Sequence, residues 1–447
     1  MKRVLMITYF WPPDNAAGTH RPLRFARHLR QFDWEPVILT AQPIWYTRYD
    51  SGLESRVPEN IQMLRSSHRD PWLEFQVWRS RQMKAQPSPT IPLEKSDGIK
   101  YFPKLDFRAL ARNIVKWIEP HVYHPDYYMA WISSAIRKAE RTFPNGNGIH
   151  AIWATGNPWS DFEVGYQLSC RWGMPLILDF RDGWTITYNE FESRRPAWAR
   201  KWDRRRLNRY LMAAQSVVFL SKKYAQVYQD SYPNLHQEKI HIIPNGFEPE
   251  PTGPLPIKGK QLRVFYAGLL ALRRYDTLFE AFSELLRRGE VSEMEIVFVG
   301  TDEPHAEQLV TQLNLQGHIH FMPHQPFATV QQMMKDAHAL LILGEQPMPG
   351  MEFFVASKVF HYLALGRPVL GILPNNETKN ILHILGSQLL ADVDSLRQVE
   401  QVLLKLYNAW QSDQLGNLVL SQDGLSKYSE PYLSEMLSEI LDGKTSI

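Results

Sequence analysis

Cysteine is nearly absent from this chain. Cys170 is the only one in 447 residues, which excludes an internal disulfide and fits a reducing compartment. It falls in Ser169-Cys170-Arg171-Trp172, inside a predicted amphipathic helix, where it reads as a packed thiol. Long apolar runs are missing too. Nothing reaches the ~20 residues of a membrane-spanning helix, and the opening Met1–Tyr9 run is broken by Trp11-Pro12-Pro13-Asp14 before it could serve as a signal peptide. Charge of one sign is not in excess: 50 Lys and Arg face 47 Asp and Glu, a net +3, which leaves no footprint for nucleic acid. The glycine fingerprint of dinucleotide sites, the P-loop and the zinc-ligand spacings are all missing. The expectation is a cytoplasmic protein with no nucleic-acid partner.

What is present is ordinary for a globular chain: 44% apolar and 22% charged residues. The length exceeds one core, so two or three domains are expected. Aromatics are plentiful, with 14 Trp, enough to line a cleft or an interface as well as a core. Val4–Thr8 reads as a buried strand, Arg21–Phe32 as a helix and Glu35–Leu39 as a second strand, a βαβ unit that implies a parallel sheet. From about Arg69 to Pro125 the pattern is lost in Trp, Tyr, Pro and basic residues, as in an insertion. Short strands at Ala151–Ala154, Leu176–Asp179, Val217–Leu220 and Ile240–Ile243 follow, with helices over Trp131–Arg141 and Phe162–Trp172.

Proline and glycine cluster between Pro244 and Lys260, which marks a boundary. A second βα series then runs through Arg263–Ala267, Thr277–Arg287, Glu295–Gly300, Ile319–Phe321, Ala339–Leu343, Pro368–Leu373, Leu389–Leu390 and Ser395–Trp410. An amphipathic helix, Glu430–Leu441, closes the chain. The fold class is α/β, with Rossmann-like domains at residues 1–250 (insertion about 69–125) and 260–425, and a C-terminal helix within 426–447. Ligands in such sheets lie beyond the carboxyl ends of the strands, and a pair of these domains places them in a cleft.

Ser357–Gly371 reads as a helix, a glycine stop and a buried strand. Ser357 can cap the helix, Gly366 can take the left-handed conformation that ends it, and Pro368 blocks continuation. The unpaired amides at Val355-Ala356-Ser357 suit a phosphate, with Lys358 in the first turn.

These runs together resemble the retaining glycosyltransferases of the GT-B fold, family 4, over nearly the whole chain. The resemblance rests on Tyr9–Gly18, Asp179-Phe180-Arg181-Asp182-Gly183-Trp184, Ile243-Pro244-Asn245-Gly246-Phe247, Tyr266-Ala267-Gly268, Phe298-Val299-Gly300 and the Ala356–Gly371 run. It implies a hexosyltransferase-like enzyme that moves a sugar from a nucleoside-diphosphate donor to a glycan or lipid-linked acceptor in polysaccharide or cell-surface glycan assembly. It also implies donor binding by the second domain and a last helix that returns to the first.

Departing diphosphate can be stabilised by fixed amide dipoles and cations without a metal or other cofactor. Lys358, Arg273 and Arg274 are the catalytic candidates. Each arginine is read either as a phosphate ligand or as a solvated charge at a helix start. Leu269 stands where relatives carry arginine, and His361 where they carry the second of two glutamates, with Phe353 at the first and Glu352 one residue out of register. His361 is a ribose ligand or a structural histidine. Gly268 is on the donor side in the second half, with Glu377 as a ligand of sugar hydroxyls or a complement to its helix's dipole; Gly18 and Thr19 join it from the first, in a loop read as a ligand contact over a plain strand-to-helix turn. Trp159, where relatives have histidine, and Asp182 are acceptor candidates. Asp179 and Asp182 flank Arg181 as acid–base groups or as its ion-pair partners. Asp392-Val393-Asp394 imitates a metal motif but reads as a helix cap, Asp394-Ser395-Leu396.

Arg194–Arg209 is strongly basic, with Trp198, Trp202 and Tyr210 interleaved. It reads as a solvated helix face, as a contact for an anionic membrane surface or as a contact for RNA, of which the membrane is the functional reading kept. Two further readings stay open: a catalytically weak or inactive binding or scaffold protein of this fold, and a nucleotide-sugar epimerase of the same fold.

Overall fold

The computed structural model describes residues 1–46, 49–69, 119–186, 193–249, 253–346, 355, 357–420 and 424–444. Most of the expected insertion, together with Glu352, Phe353 and Ala356, lies outside the described residues, as does the side chain of Ser357. Two compact units emerge. The first comprises Met1–Ile243 and Ser434–Ile447, the second Pro244–Leu433.

The first unit is built on a seven-stranded parallel sheet: β1 (Lys2–Ile7), β2 (Trp34–Ala41), β3 (Gln62–Ser66), β4 (Ala151–Gly156), β5 (Leu176–Phe180), β6 (Ser216–Phe219) and β7 (Ile240–Ile242). Their spatial order is β3-β2-β1-β4-β5-β6-β7. Val4 pairs with Pro36 on one side and Ala151 on the other. Val4, Leu5, Met6 and Ile7 are fully buried, as expected of a strand covered on both faces. Helices α1 (Ala17–His28), α2 (Met129–Thr142), α3 (Ser160–Trp172), α4 (Ala197–Ala213) and α5 (Lys222–Ser231) flank the sheet. Strand β3 escapes the sequence reading because it is polar and lies at the sheet edge, burying only Leu64 and Ser66.

The second unit carries six parallel strands: β8 (Leu262–Ala267), β9 (Met294–Val299), β10 (Ile319–Met322), β11 (Ala339–Leu343), β12 (Val369–Leu373) and β13 (Leu390–Asp392), ordered β10-β9-β8-β11-β12-β13. Side chains alternate between two cores. Leu262, Val264 and Tyr266 join Phe279, Phe282 and Trp410 on one face. Phe265 joins Val359, Phe360 and Tyr362 on the other, the period-two rule of a strand. Helices α6 (Asp276–Arg287), α7 (Pro304–Gln312), α8 (Phe327–Lys335), α9 (Ser357–Ala364), α10 (Glu377–Ile384) and α11 (Leu396–Gln411) complete it. Gly366, at φ 62°, ends the α9 segment in the left-handed conformation. The last helix, α12 (Glu430–Leu441), starts in the second unit and finishes in the first, where Asp442 takes bonds from Lys2 and from the Trp34 indole.

One buried ion pair ties the first unit together. Arg21 of α1 grips Asp179 of β5 with two nitrogens, at 2.7 to 3.1 Å, and donates to the Ile243 carbonyl at 2.9 Å. Thr155 of β4 donates to the same carboxylate at 2.8 Å. Arg21 is 3% exposed and Asp179 is fully buried, so removing one charge strands the other. Arg21→Met is expected to cost about 3–5 kcal/mol, read as a lower urea midpoint. A loss within error of zero would show that the pair holds nothing.

Candidate functional site

In the second unit the chain runs outward from β8 through β9 to β10, then returns to β11 on the other side of β8. That reversal opens a crevice beyond the carboxyl ends of β8 and β11, where open α/β sheets bind ligands. Gly268 follows β8 with φ 127°, and its amide donates to the Val299 carbonyl at 2.8 Å. A side chain there would collide with Lys358: an added Cβ would stand 2.9 Å from Cε and closer still to the ammonium. Gly268 is therefore glycine for two reasons, conformation and the lysine lying across it.

Lys358, in the first turn of α9, sets its Nζ 3.3 Å from the Tyr266 hydroxyl and 4.4 Å from that ring's centroid. Tyr266 in turn donates to the Leu269 carbonyl at 3.0 Å. Tyr362, almost fully buried, accepts from the Ala267 amide at 3.2 Å. Arg273 pairs with Glu345, and the two residues also form a backbone bridge. Among the described residues Lys358 has no carboxylate at ion-pair distance. Burial pulls its pKa down to about 8, and the nearby Arg273 charge adds to the effect against an opposing pull from Glu345. Burial raises Tyr266 to about 12, opposed by Arg273. The crevice thus holds one desolvated, unneutralised cation that an anion would stabilise.

The structure brings Lys358, Gly268 and Arg273 together. Arg274 is not among them: it turns to Asp394, a pair at the surface. Leu269, where the resembled family carries arginine, is 72% exposed. His361 lies one turn along α9 on the face of Lys358, half-buried. Val355 is buried. Glu377 opens α10 beyond the carboxyl end of β12, behind the Asn376 cap on the Lys379 amide, and its charge raises the Tyr428 pKa as a smaller addition to burial. Ser395 caps α11, its hydroxyl accepting from the Gln398 amide, and Asp392 is held by Lys379. Tyr266, Tyr362, Gly300 (φ 84°) and Glu345 join the site only in the structure. Tyr266 and Gly300 sit within the motif runs, whereas Glu345 carries no local signal. A separate surface groove of about 560 Å³, lined by Gln388, Lys405, Asn408 and Gln414, borders the residues that precede β13 and so lies toward the amino end of that strand.

The first unit has its own reversal between β1 and β4. Gly18 opens α1, and its missing side chain leaves room for protein rather than open space. A Cβ would meet the Phe10 ring at 2.8 Å and both terminal nitrogens of Arg181 at 3.1 Å. Thr19 is fully buried, with no partner for its hydroxyl. Arg181 donates through Nε to Thr155 Oγ1 at 2.9 Å and through Nη2 to the Asn157 carbonyl. Asp179 is thus claimed by Arg21, not by Arg181, and its burial removes it from acid–base work on a bound group. Asp182 is exposed, and its carbonyl accepts from Tyr224.

Trp159 does not face an open loop. It is 4% exposed and stacks on Trp184, the rings 5.1 Å apart and nearly parallel. Its burial directs it to packing rather than to stacking on an acceptor. Asp161 is a buried residue that the sequence reading passed over. Its Oδ2 accepts from the Tyr9 amide at 3.0 Å and its Oδ1 has no partner. Burial holds its pKa well above the carboxylate range, with the Asp126 charge adding to the rise. The Tyr9 ring packs against Tyr128 and Trp131, at 4.2 and 5.4 Å.

No protein-family model matches the chain, and no curated protein matches it. Solved structures do. Sucrose-phosphate synthase from Thermosynechococcus elongatus aligns with TM-score 0.61 and 12% identity over 99% of each chain. Anabaena HepE, solved with UDP and glucose, aligns with TM-score 0.60 and 12% identity over 99% of this chain and 100% of that one. TarM aligns with TM-score 0.60 and 10% identity over 99% of each chain. At these identities the likeness establishes the fold, the α/β architecture of the GT-B glycosyltransferases.

The unpaired ammonium carries a testable consequence. An unfolded lysine keeps its proton to about 10.5, whereas Lys358 releases it near 8. Across that window the unfolded chain binds more protons, so stability should rise with pH. Lys358→Met should remove this rise. Carbon-13 NMR of reductively methylated protein should show one lysine titrating near 8; an ordinary midpoint for every lysine would contradict the desolvated site.

Proposed function

We propose that this chain is a retaining glycosyltransferase that moves a sugar from a nucleoside-diphosphate donor to a glycan or lipid-linked acceptor. The observation that carries the reading is Lys358, an unneutralised cation laid across Gly268 at the reversal of the second sheet. The donor diphosphate would take the place of the missing carboxylate, with Arg273 close by and the start of α9 offering its amides. His361 and Glu377 would meet the donor's hydroxyls. Acceptor contacts would come from the first unit, through Asp182 and the loop around Gly18. HepE, of the same fold, was solved with UDP and glucose, which makes UDP the first donor nucleotide to test.

In a front-face reaction the bond from the anomeric carbon to the donor phosphate breaks as the acceptor oxygen attacks from the same side. The leaving phosphate takes the acceptor's proton. Lys358 and Arg273 balance the charge that grows on that phosphate, so no side-chain nucleophile and no metal are required.

A binding protein without turnover is the second reading. It is favoured by the diversion of Arg274 to Asp394 and by the exposed Leu269, which leave fewer cations for the leaving group. Calorimetry with UDP separates the possibilities. Wild type should bind, and Lys358→Met should lose about ten- to a hundredfold in affinity, the worth of a charge-assisted hydrogen bond. Slow hydrolysis of a UDP-sugar that first releases the donor's own anomer, seen by proton NMR, supports the retaining enzyme. UDP binding with no hydrolysis or transfer supports the binding protein, and unchanged affinity in Lys358→Met refutes the assigned site.

Peripheral membrane contact belongs to the same proposal. Trp198, Lys201, Trp202, Arg205, Arg209 and Met212 fall on one stripe of α4. Trp198, Trp202 and Met212 are 48%, 56% and 58% exposed. Aromatic groups among cations suit the headgroup layer of an anionic bilayer, with about 1 kcal/mol for each basic residue near the surface. The protein should sediment with equimolar phosphatidylcholine–phosphatidylglycerol vesicles and stay in solution with phosphatidylcholine alone. Trp198→Ala with Trp202→Ala should weaken the association. Equal recovery with both vesicle types would end this assignment.

A further inference from the structure

Two cations of the second-unit crevice converge on one phenol oxygen. Tyr266 continues the alternation Leu262, Val264, Tyr266 along β8 into one core. It is 1% exposed, and its ring packs on Phe298, the centroids 5.5 Å apart. A phenol mounted on a buried central strand has little freedom to move. Its hydroxyl lies 3.3 Å from Lys358 Nζ, which also stands 4.4 Å from the ring centroid. Arg273 bears on the same oxygen. Burial lifts the phenol pKa to about 12, and the charge and hydrogen bonding of Arg273 oppose that rise.

A phenol oxygen has one proton and two lone pairs, an ammonium and a guanidinium only donate, and a carbonyl only accepts. The Tyr266 proton therefore goes to the Leu269 carbonyl, at 3.0 Å, which leaves the lone pairs to the two cations. The same bond ties down the turn that carries Arg273, whose own amide donates to the Leu270 carbonyl at 2.7 Å. Glu345 pairs with Arg273 and acts on Lys358 only through its charge. Two like charges at one oxygen repel each other, and a lysine stem has several rotatable bonds along which to swing away. An acceptor fixed to the sheet is what keeps the ammonium across Gly268.

We propose that Tyr266 is the positioning residue of this site: its hydroxyl and ring hold Lys358 beside Arg273, so that the two cations are already together when an anionic ligand arrives. That the ligand is the donor diphosphate rests on the glycosyltransferase reading; the convergence on Tyr266 does not. Tyr266 itself needs no contact with the ligand. Its contribution is preorganisation, the ordering of a flexible cation completed before binding rather than during it.

Calorimetry with UDP and carbon-13 NMR of the methylated lysines test this in Tyr266→Phe, which keeps the ring and removes the hydroxyl. UDP affinity should fall about two- to tenfold, the worth of one hydrogen bond. In a Lys358→Met background the same change should cost less, because part of its effect runs through the lysine. Loss of an acceptor for the charged form should also move the Lys358 midpoint below its position near 8. A tyrosine that serves only the core would lower affinity equally in both backgrounds and leave the midpoint in place, and either result overturns the positioning role. Arg273→Gln supplies a second variant should Tyr266→Phe fold poorly. Removing that neighbouring charge should raise the Lys358 midpoint, and an unmoved midpoint overturns the convergence of the two cations. A midpoint that falls in Tyr266→Phe, in a protein that binds no UDP, keeps the positioning role and removes the donor assignment, so the two failures are distinguishable.

Discussion

The buried pair of Arg21 and Asp179 is the constraint on which the first unit turns. A carboxylate with no solvent access must be matched by charge and hydrogen bonds, and Asp179 obtains both from α1 and β4. The same arginine reaches the Ile243 carbonyl, so one guanidinium joins the first helix, the middle of the sheet and the last residue before the second unit begins. Because Asp179 is used up there, Arg181 two residues later is left with neutral partners. The stabilising pair and the unneutralised cation are two consequences of one assignment of charge.

The second unit repeats the logic with different residues. Glu345 belongs to Arg273 and Asp394 to Arg274, which leaves Lys358 against the face of Tyr266. A cation–π contact and one hydroxyl are weaker compensation than a carboxylate, and the ammonium's lowered pKa records the shortfall. Each sheet therefore presents a cation in deficit beyond the carboxyl ends of its strands, beside the point where strand order reverses.

Much of this was legible in the chain. Continuous apolar runs marked β1, β11 and β12 to within two residues, since a strand buried on both faces has no choice of side chain. Gly268 and Lys358 could be found from the motif run, because close approach of a chain segment demands glycine whatever lies opposite. The polar edge strand β3 could not, because an exposed edge need not be apolar. Trp159 looked like an open platform for a sugar because aromatic residues serve cores and ligands alike; only its stacking on Trp184 decides between them.

By itself the sequence determined most of the strands, the parallel α/β class and the position of the main glycine stops. Those follow from side-chain periodicity and backbone sterics, which act over a few residues. Only the tertiary structure decided which charge meets which. Arg273 and Glu345 are 72 positions apart, Arg274 and Asp394 120, and Arg21 and Asp179 158. Electrostatic partnership is set by distance in space and by access to water, neither of which is written along the chain. The residues left unpaired, and hence the places where a ligand's charge is wanted, emerge only once every other partner has been chosen.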